Sequence, residues 1–167
     1  MKKFLLTSLA IALSAATITS PSYAQISEDQ AGLISMTCGS IQLQLKNLQK
    51  ADSKMRVYLG SKYEIALTNL MTNLNLRLVK NDLPSPDLAQ SQTTFSSERD
   101  FFRTAFTNYA KSLDTLIASD CRTDPYGFHA KLENTRAKRE TVRQSYLRLK
   151  DTLINHRAII TDMRDSL

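Results

Sequence analysis

Apolar residues recur along this chain in steps of four and three. From Phe128 those steps pick out Leu132, Thr135, Arg139, Val142, Tyr146, Leu149, Leu153, His156, Ile160, Met163 and Leu167. The spacing lays one apolar stripe along a continuous helix and matches the 3.5-residue period of coiled-coil packing. Arg139 and His156 are the two strong interruptions. A helix of this length, roughly 60 Å at 1.5 Å per residue, needs partner helices to cover its stripe.

Two further segments repeat the pattern. The first opens at Ser27-Glu28-Asp29-Gln30, a capping box with acidic residues at the positive end of the helix dipole. Ile34, Cys38, Ile41, Leu45, Leu48, Asp52, Met55 and Leu59 form its stripe, which slips by one step and resumes as Tyr63, Leu67, Leu70, Leu74 and Leu78. An inserted step of this kind locally unwinds a coiled coil, and Gly60 sits at the slip. The expectation is a helix over about residues 27–80 with a soft point near Gly60.

Pro84 and Pro86 forbid helix through the first turn, and Ser85-Pro86 makes a cap and first-turn pair for the next segment. That segment carries Leu88, Gln92, Phe95, Arg99, Phe102, Phe106, Tyr109, Leu113 and Leu116, and is expected to span about residues 86–120. A second turn, Cys121 to Pro125, leads into the third helix at about 125–165. No stretch alternates as a half-buried strand does. Short turns between long helices make neighbours antiparallel, so the expected fold is all-α: an elongated antiparallel three-helix coiled-coil bundle. An open hairpin that completes its core in an oligomer is the alternative.

The N-terminus changes the compartment. Met1-Lys2-Lys3, an apolar run from Phe4 to Ile18, and Ser22-Tyr23-Ala24 together form the three-part pattern of a cleaved secretory signal over residues 1–24. The run is short for a bilayer span of about 20 residues. The mature chain, 25–167, is then expected to be one helical domain without a membrane span, periplasmic or extracellular. Lys2 and Lys3 leave with the signal, so the charge surplus falls from six to four.

In an exported chain two cysteines pair more often than not. Cys38 and Cys121 fall at the same end of the expected bundle, so a disulfide between them is expected, with pairing between chains or free thiols as alternatives. Counted from the proline turn, Cys38 lies about 12 Å beyond Cys121 at 1.5 Å per residue. Either the chain is extended around Cys121, or the first helix shortens near Gly39 or Gly60.

Chemistry-bearing motifs are sparse. His129 and His156 stand about 40 Å apart on a straight helix, too far to share a metal. The sequence holds no CxxC, CxxCH, HExxH, GxSxG or phosphate-cradling loop. Met55 and Met163 lie on stripes, which favours packing over soft-metal binding. No catalytic residue, cofactor or metal site is expected, and the chain is not expected to be an enzyme. The third segment carries nine basic residues from Lys131 to Arg164 against five acidic ones. Its densest run places Arg136, Lys138, Arg139 and Arg143 together, either as a solvated face that complements a neighbouring helix or as a strip for an anionic partner. Nucleic acid is disfavoured for an exported chain with no accompanying motif.

Asp120-Cys121 through Gly127-Phe128, followed by Leu132, Thr135-Arg136, Val142-Arg143 and Tyr146, resembles a motif of small secreted two-cysteine helical proteins of bacteria with reduced genomes. Those proteins combine a signal peptide, a cysteine early in a long helix, and a second cysteine before the last helix. The resemblance implies fold and topology; the group has no assigned activity. Ile26-Ser27-Glu28-Asp29-Gln30 also approximates the LTxxQ motif of helical periplasmic stress chaperones, though a capping box accounts for it. The functional expectation is a non-enzymatic structural or adaptor protein of the cell envelope that binds a protein or a surface. A holdase-type chaperone for unfolded exported proteins is the alternative, and self-association fits either.

Overall fold

The computed structural model describes residues 26–166. The signal-peptide expectation, residues 1–24, lies outside them. The described chain is helical, with no strand. It comprises α1 (Glu28–Ile65), a π-helical segment (Ala66–Thr72), α2 (Asn73–Lys80), α3 (Pro86–Ile117) and α4 (Pro125–Asp165). The first three run on without a break, so the described residues form three long helices.

Each helix start carries its own stop-and-go signal. Ser27 Oγ accepts from the Gln30 amide at 3.3 Å while the Gln30 side chain accepts from the Ser27 amide at 3.1 Å, the reciprocal capping box. Ser85 caps α3 and Asp124 caps α4, each followed by a proline whose missing N–H costs nothing in the first turn. At the end of α2, Asp82 takes φ 58°. The Leu83 amide donates to the Leu78 carbonyl at 2.9 Å and the Asp82 amide to Val79 at 3.2 Å, which is a Schellman ending. Aspartate tolerates the left-handed conformation better than most residues, so no glycine is needed there.

Paired residues fix the direction of each helix. Along the first helix Cys38, Asp52, Glu64 and Thr72 meet Cys121, Tyr109, Arg99 and Gln92 in that order. Along α3, Ser91, Glu98 and Ser112 meet His156, Arg148 and Thr135. Numbers fall on one helix as they rise on the other, so the chain reverses at each turn. α3 and α4 pack closely over their length, whereas α1 touches α4 far less.

The core follows the stripes. Phe95, Phe102, Phe106 and Tyr109 of α3 form an aromatic spine that α1 meets with Tyr63. Tyr63 stands edge-on to Phe95 and Phe102 with ring centres 6.0 and 5.8 Å apart, the arrangement favoured by ring quadrupoles. Leu113, Leu116, Phe128 and Leu149 complete the interior.

Three expectations need correction. α1 runs through Gly60 as regular helix; the slip is absorbed farther on, in the π segment. There Thr72 Oγ1 donates to the Leu67 carbonyl five residues back at 2.8 Å, taking up an acceptor of the widened turn. Before that correction the outward drift leaves Met55 58 % exposed; the methionine that fills the core is Met71, 1 % exposed. Leu70, on the expected stripe, faces out.

The second helix ends at Ile117 rather than near Asp120. Asp120 turns the chain by accepting from the Arg122 and Thr123 amides at 2.8 and 3.3 Å. These hydrogen bonds hold the Asp120 carboxyl below its usual pKa. The irregular stretch 118–124 carries Cys121 to Cys38 within the same chain, Cα atoms 5.4 Å apart. Regular helix runs through both Gly39 and Gly60, so the first helix does not shorten there. The chain leaves regular helix at 118–124, where it turns, with the Asp124 amide donating to the Asp120 carbonyl at 3.2 Å. Ser35 and Gln42 secure the turn from α1 by donating to the Arg122 and Ser119 carbonyls at 2.8 and 3.3 Å.

Candidate partner-binding groove

Because α1 stands off from α4 while α3 hugs it, a groove opens between α1 and α4 at mid-length. Its volume is about 770 Å³, within the range of ligand-binding clefts. Phe102, Phe106 and Tyr109 of α3 form its floor. α1 contributes Met55, Arg56, Tyr58 and Leu59 to one wall, and α4 contributes Arg136, Arg139, Val142, Arg143 and Tyr146 to the other.

The floor is tied down by a three-helix polar contact. Tyr109 Oη donates to Asp52 Oδ2 at 2.6 Å, and Arg139 approaches Asp52 Oδ1 at 3.3 Å. Asp52 is buried, and its two partners make that burial tolerable. Burial, and then the hydrogen bond to Asp52, push the Tyr109 hydroxyl well above the usual tyrosine pKa. Tyr63, below the floor, is pushed up to about 12 by burial and secondarily by Tyr146.

The rim is cationic. The Arg56 guanidinium lies 5.7 Å from the centre of the Phe106 ring, presenting its charge above an apolar face. Arg136 pairs with Glu133 at 2.6 Å and Arg143 with Glu140 at 2.9 Å, both across one helical turn in solvent. The hydrogen bonds from Arg143 and then Gln144 lower the Glu140 pKa. Four guanidinium groups and two carboxylates line the groove. Exposed pairs of this kind are worth little by themselves, so the arginines are free to exchange partners.

The sequence-derived strip is thus divided. Arg136, Arg139 and Arg143 reach the groove, whereas Lys138 is half-buried outside its lining. Arg56 and Tyr58 were not singled out by sequence reading, and Phe102, Phe106 and Tyr109 were read as stripe positions, not as the floor of a groove. The available signal was the placement of opposite charges, Asp52 and Arg139, on two apolar stripes. Chemically, the groove offers planar guanidinium donors that suit carboxylates and phosphates, set beside aromatic surface. Among the described residues no group of three or more His, Cys, Asp or Glu could hold a metal, and no helix is long and apolar enough to cross a membrane. Compared with family models, curated proteins and solved structures, the chain has no significant match.

Proposed function

We propose that this chain is an exported, non-enzymatic adaptor of the cell envelope, built as an antiparallel three-helix coiled coil and clamped by Cys38–Cys121. Its partner presents an acidic, amphipathic helical segment to the groove between α1 and α4. The observation that carries this reading is the combination of an aromatic floor with a rim richer in arginine than in carboxylate. Helix-in-groove recognition requires an apolar trough, and the arginines select the sign of the partner's polar face. The disulfide fits an oxidising compartment, and the proposed export signal is residues 1–24. The proposal extends to membership of the small secreted two-cysteine helical proteins that the sequence resembles.

A photo-crosslinking residue placed at Tyr58 or Tyr146 in the native envelope tests it. One dominant partner, lost when Arg136 and Arg143 are replaced by glutamate, is the expected outcome. A crosslinker at Thr107, exposed on α3 and outside the groove lining, should capture little of that partner.

A second reading, a holdase chaperone, draws on the outward face of α1. Leu33, Met36, Leu43 and Val57 are exposed there, interleaved with Lys46, Lys50 and Lys54. Crosslinking to many unfolded exported proteins, weakening as salt rises, would select it over the adaptor.

A further inference from the structure

Beyond the π segment two apolar stripes face each other without meeting. Leu70 of the π segment and Leu74 of α2 line one side of a second groove, and Leu153 and Ile160 of α4 line the other. Its volume is about 440 Å³. α2 contains no buried residue, although Leu74, Leu76, Leu78 and Val79 make half of its positions apolar. The π segment is the cause. By widening one turn it sends Met71 into the core and leaves Leu70 outside, 63 % exposed. The apolar edges are then held apart, since Thr72 and Asn75 tie this end of the first helix to Gln92 of α3, not to α4.

Charge decides what such a cleft accepts. Arg77 and Arg157 stand in its lining, and no carboxylate does. Neither arginine enters an ion pair among the described residues. This differs from the first groove, whose rim arginines Arg136, Arg139 and Arg143 each have a carboxylate partner. His156, at the base, is turned to Ser91 Oγ at 3.1 Å and adds no negative group.

We propose that this second groove binds a single-chain anionic amphiphile: an aliphatic chain lying between the leucine and isoleucine edges, with a carboxylate or phosphate head held by Arg77 and Arg157. The aliphatic walls reward burial of methylene groups. The two free guanidinium groups supply charge-assisted hydrogen bonds for the head. The site is separate from the groove between α1 and α4, so the inference stands apart from the proposed adaptor role.

Calorimetric titration of the disulfide-bonded mature protein with decanoate, decyl phosphate and decyl maltoside, each below its micelle concentration, tests it. At least one of the two anions should bind saturably with one site per chain, and the preferred anion names the head group. The uncharged maltoside should bind at least about tenfold more weakly, the scale of one lost charged hydrogen bond. Arg77→Gln with Arg157→Gln should weaken the anion by at least about tenfold, and Leu70→Gln should weaken it as well. All three side chains are exposed, so unchanged thermal melting is expected to accompany the loss. The proposal is overturned by absence of saturable binding, by maltoside binding equal to that of the anions, or by an unaffected double arginine variant. Adsorption to anionic vesicles without binding of the monomeric amphiphile overturns it too.

Discussion

Tyr109 and Asp52, 57 positions apart in sequence, are joined by a 2.6 Å hydrogen bond at the floor of the central groove. The bond couples α1 to α3 where the interior is otherwise aromatic and aliphatic. Tyr109→Phe removes the donor and leaves the buried carboxylate with Arg139 alone, at a cost of about 2 kcal/mol. Arg139→Gln should cost less than about 1 kcal/mol, because the Arg139 side chain is 53 % exposed and water replaces it. Urea unfolding of the two variants with the disulfide intact checks both the magnitudes and their order.

The Cys38–Cys121 bond closes a separation of 83 residues. Constraint of the unfolded chain by such a loop stabilises the fold by about 4 kcal/mol in the chain-entropy picture. Alanine at both positions should lower the urea midpoint accordingly. Hydrogen exchange should quicken first in residues 118–124 and in the start of α1, where Ser35 and Gln42 lose their carbonyl partners. Equal loss of protection along all three helices would show instead that the clamp supports the whole interior.

Stability should decline on both sides of neutrality. Tyr63, near 12, and Tyr109, displaced in the same direction, lie above the ordinary tyrosine value of 10.0. The unfolded chain therefore releases these protons first as pH rises, so stability is full below pH 10 and is lost progressively above it. Burial pushes the His156 imidazole below its usual 6.5. The unfolded chain then takes up that proton first as pH falls, so stability is full above about 6.5 and erodes beneath it. Urea midpoints across the pH range check the curve. Tyr63→Phe should flatten the alkaline limb, and His156→Gln the acid limb.

Deleting Asn69 removes one residue from the widened turn and should return Ala66–Thr72 to regular α-helix. Because the widened turn takes up that one extra residue, α2 then keeps its facing, and Thr72 and Asn75 stay against Gln92. Helical circular dichroism and the Gln92 side-chain amide resonances should both persist. Gln92 resonances that move would show that the extra residue is taken up elsewhere along the first helix.

The apolar stripes made most of the interior legible in advance. Leu88, Phe95, Phe102, Phe106, Tyr109, Leu113 and Leu116 stood at the expected steps, and all are buried. The interruption between Leu59 and Tyr63 was legible too, but not where the backbone would absorb it. A solvent-facing glycine stays helical without difficulty, and Gly60 meets nothing that would bend it. The place was decided by tertiary contacts, among them Tyr63 against the Phe95 and Phe102 rings and Thr72 against Gln92. The central groove was legible by half. Spacing assigns Arg136, Arg139 and Arg143 to a helix, but it carries no information on how far a neighbouring helix stands away. That distance turns a charged strip into a cleft.

The chain has two cysteines and hence a single covalent cross-link, placed at one end. At the other end the turn 81–85 joins the first helix directly to α3, where Thr72 and Asn75 also hold Gln92. The first helix is therefore pinned at both ends, and any bowing of it away from the α3–α4 pair is greatest between the pins. The central groove, at Asp52, lies about 21 Å from Cys38 and about 42 Å from Lys80 along the helix, whereas the distal one, at Leu70, lies only about 15 Å from Lys80. Like a plank held at both ends, the helix gives most in mid-span, so the central opening adjusts to guests of different girth while the distal one keeps a nearly constant gauge.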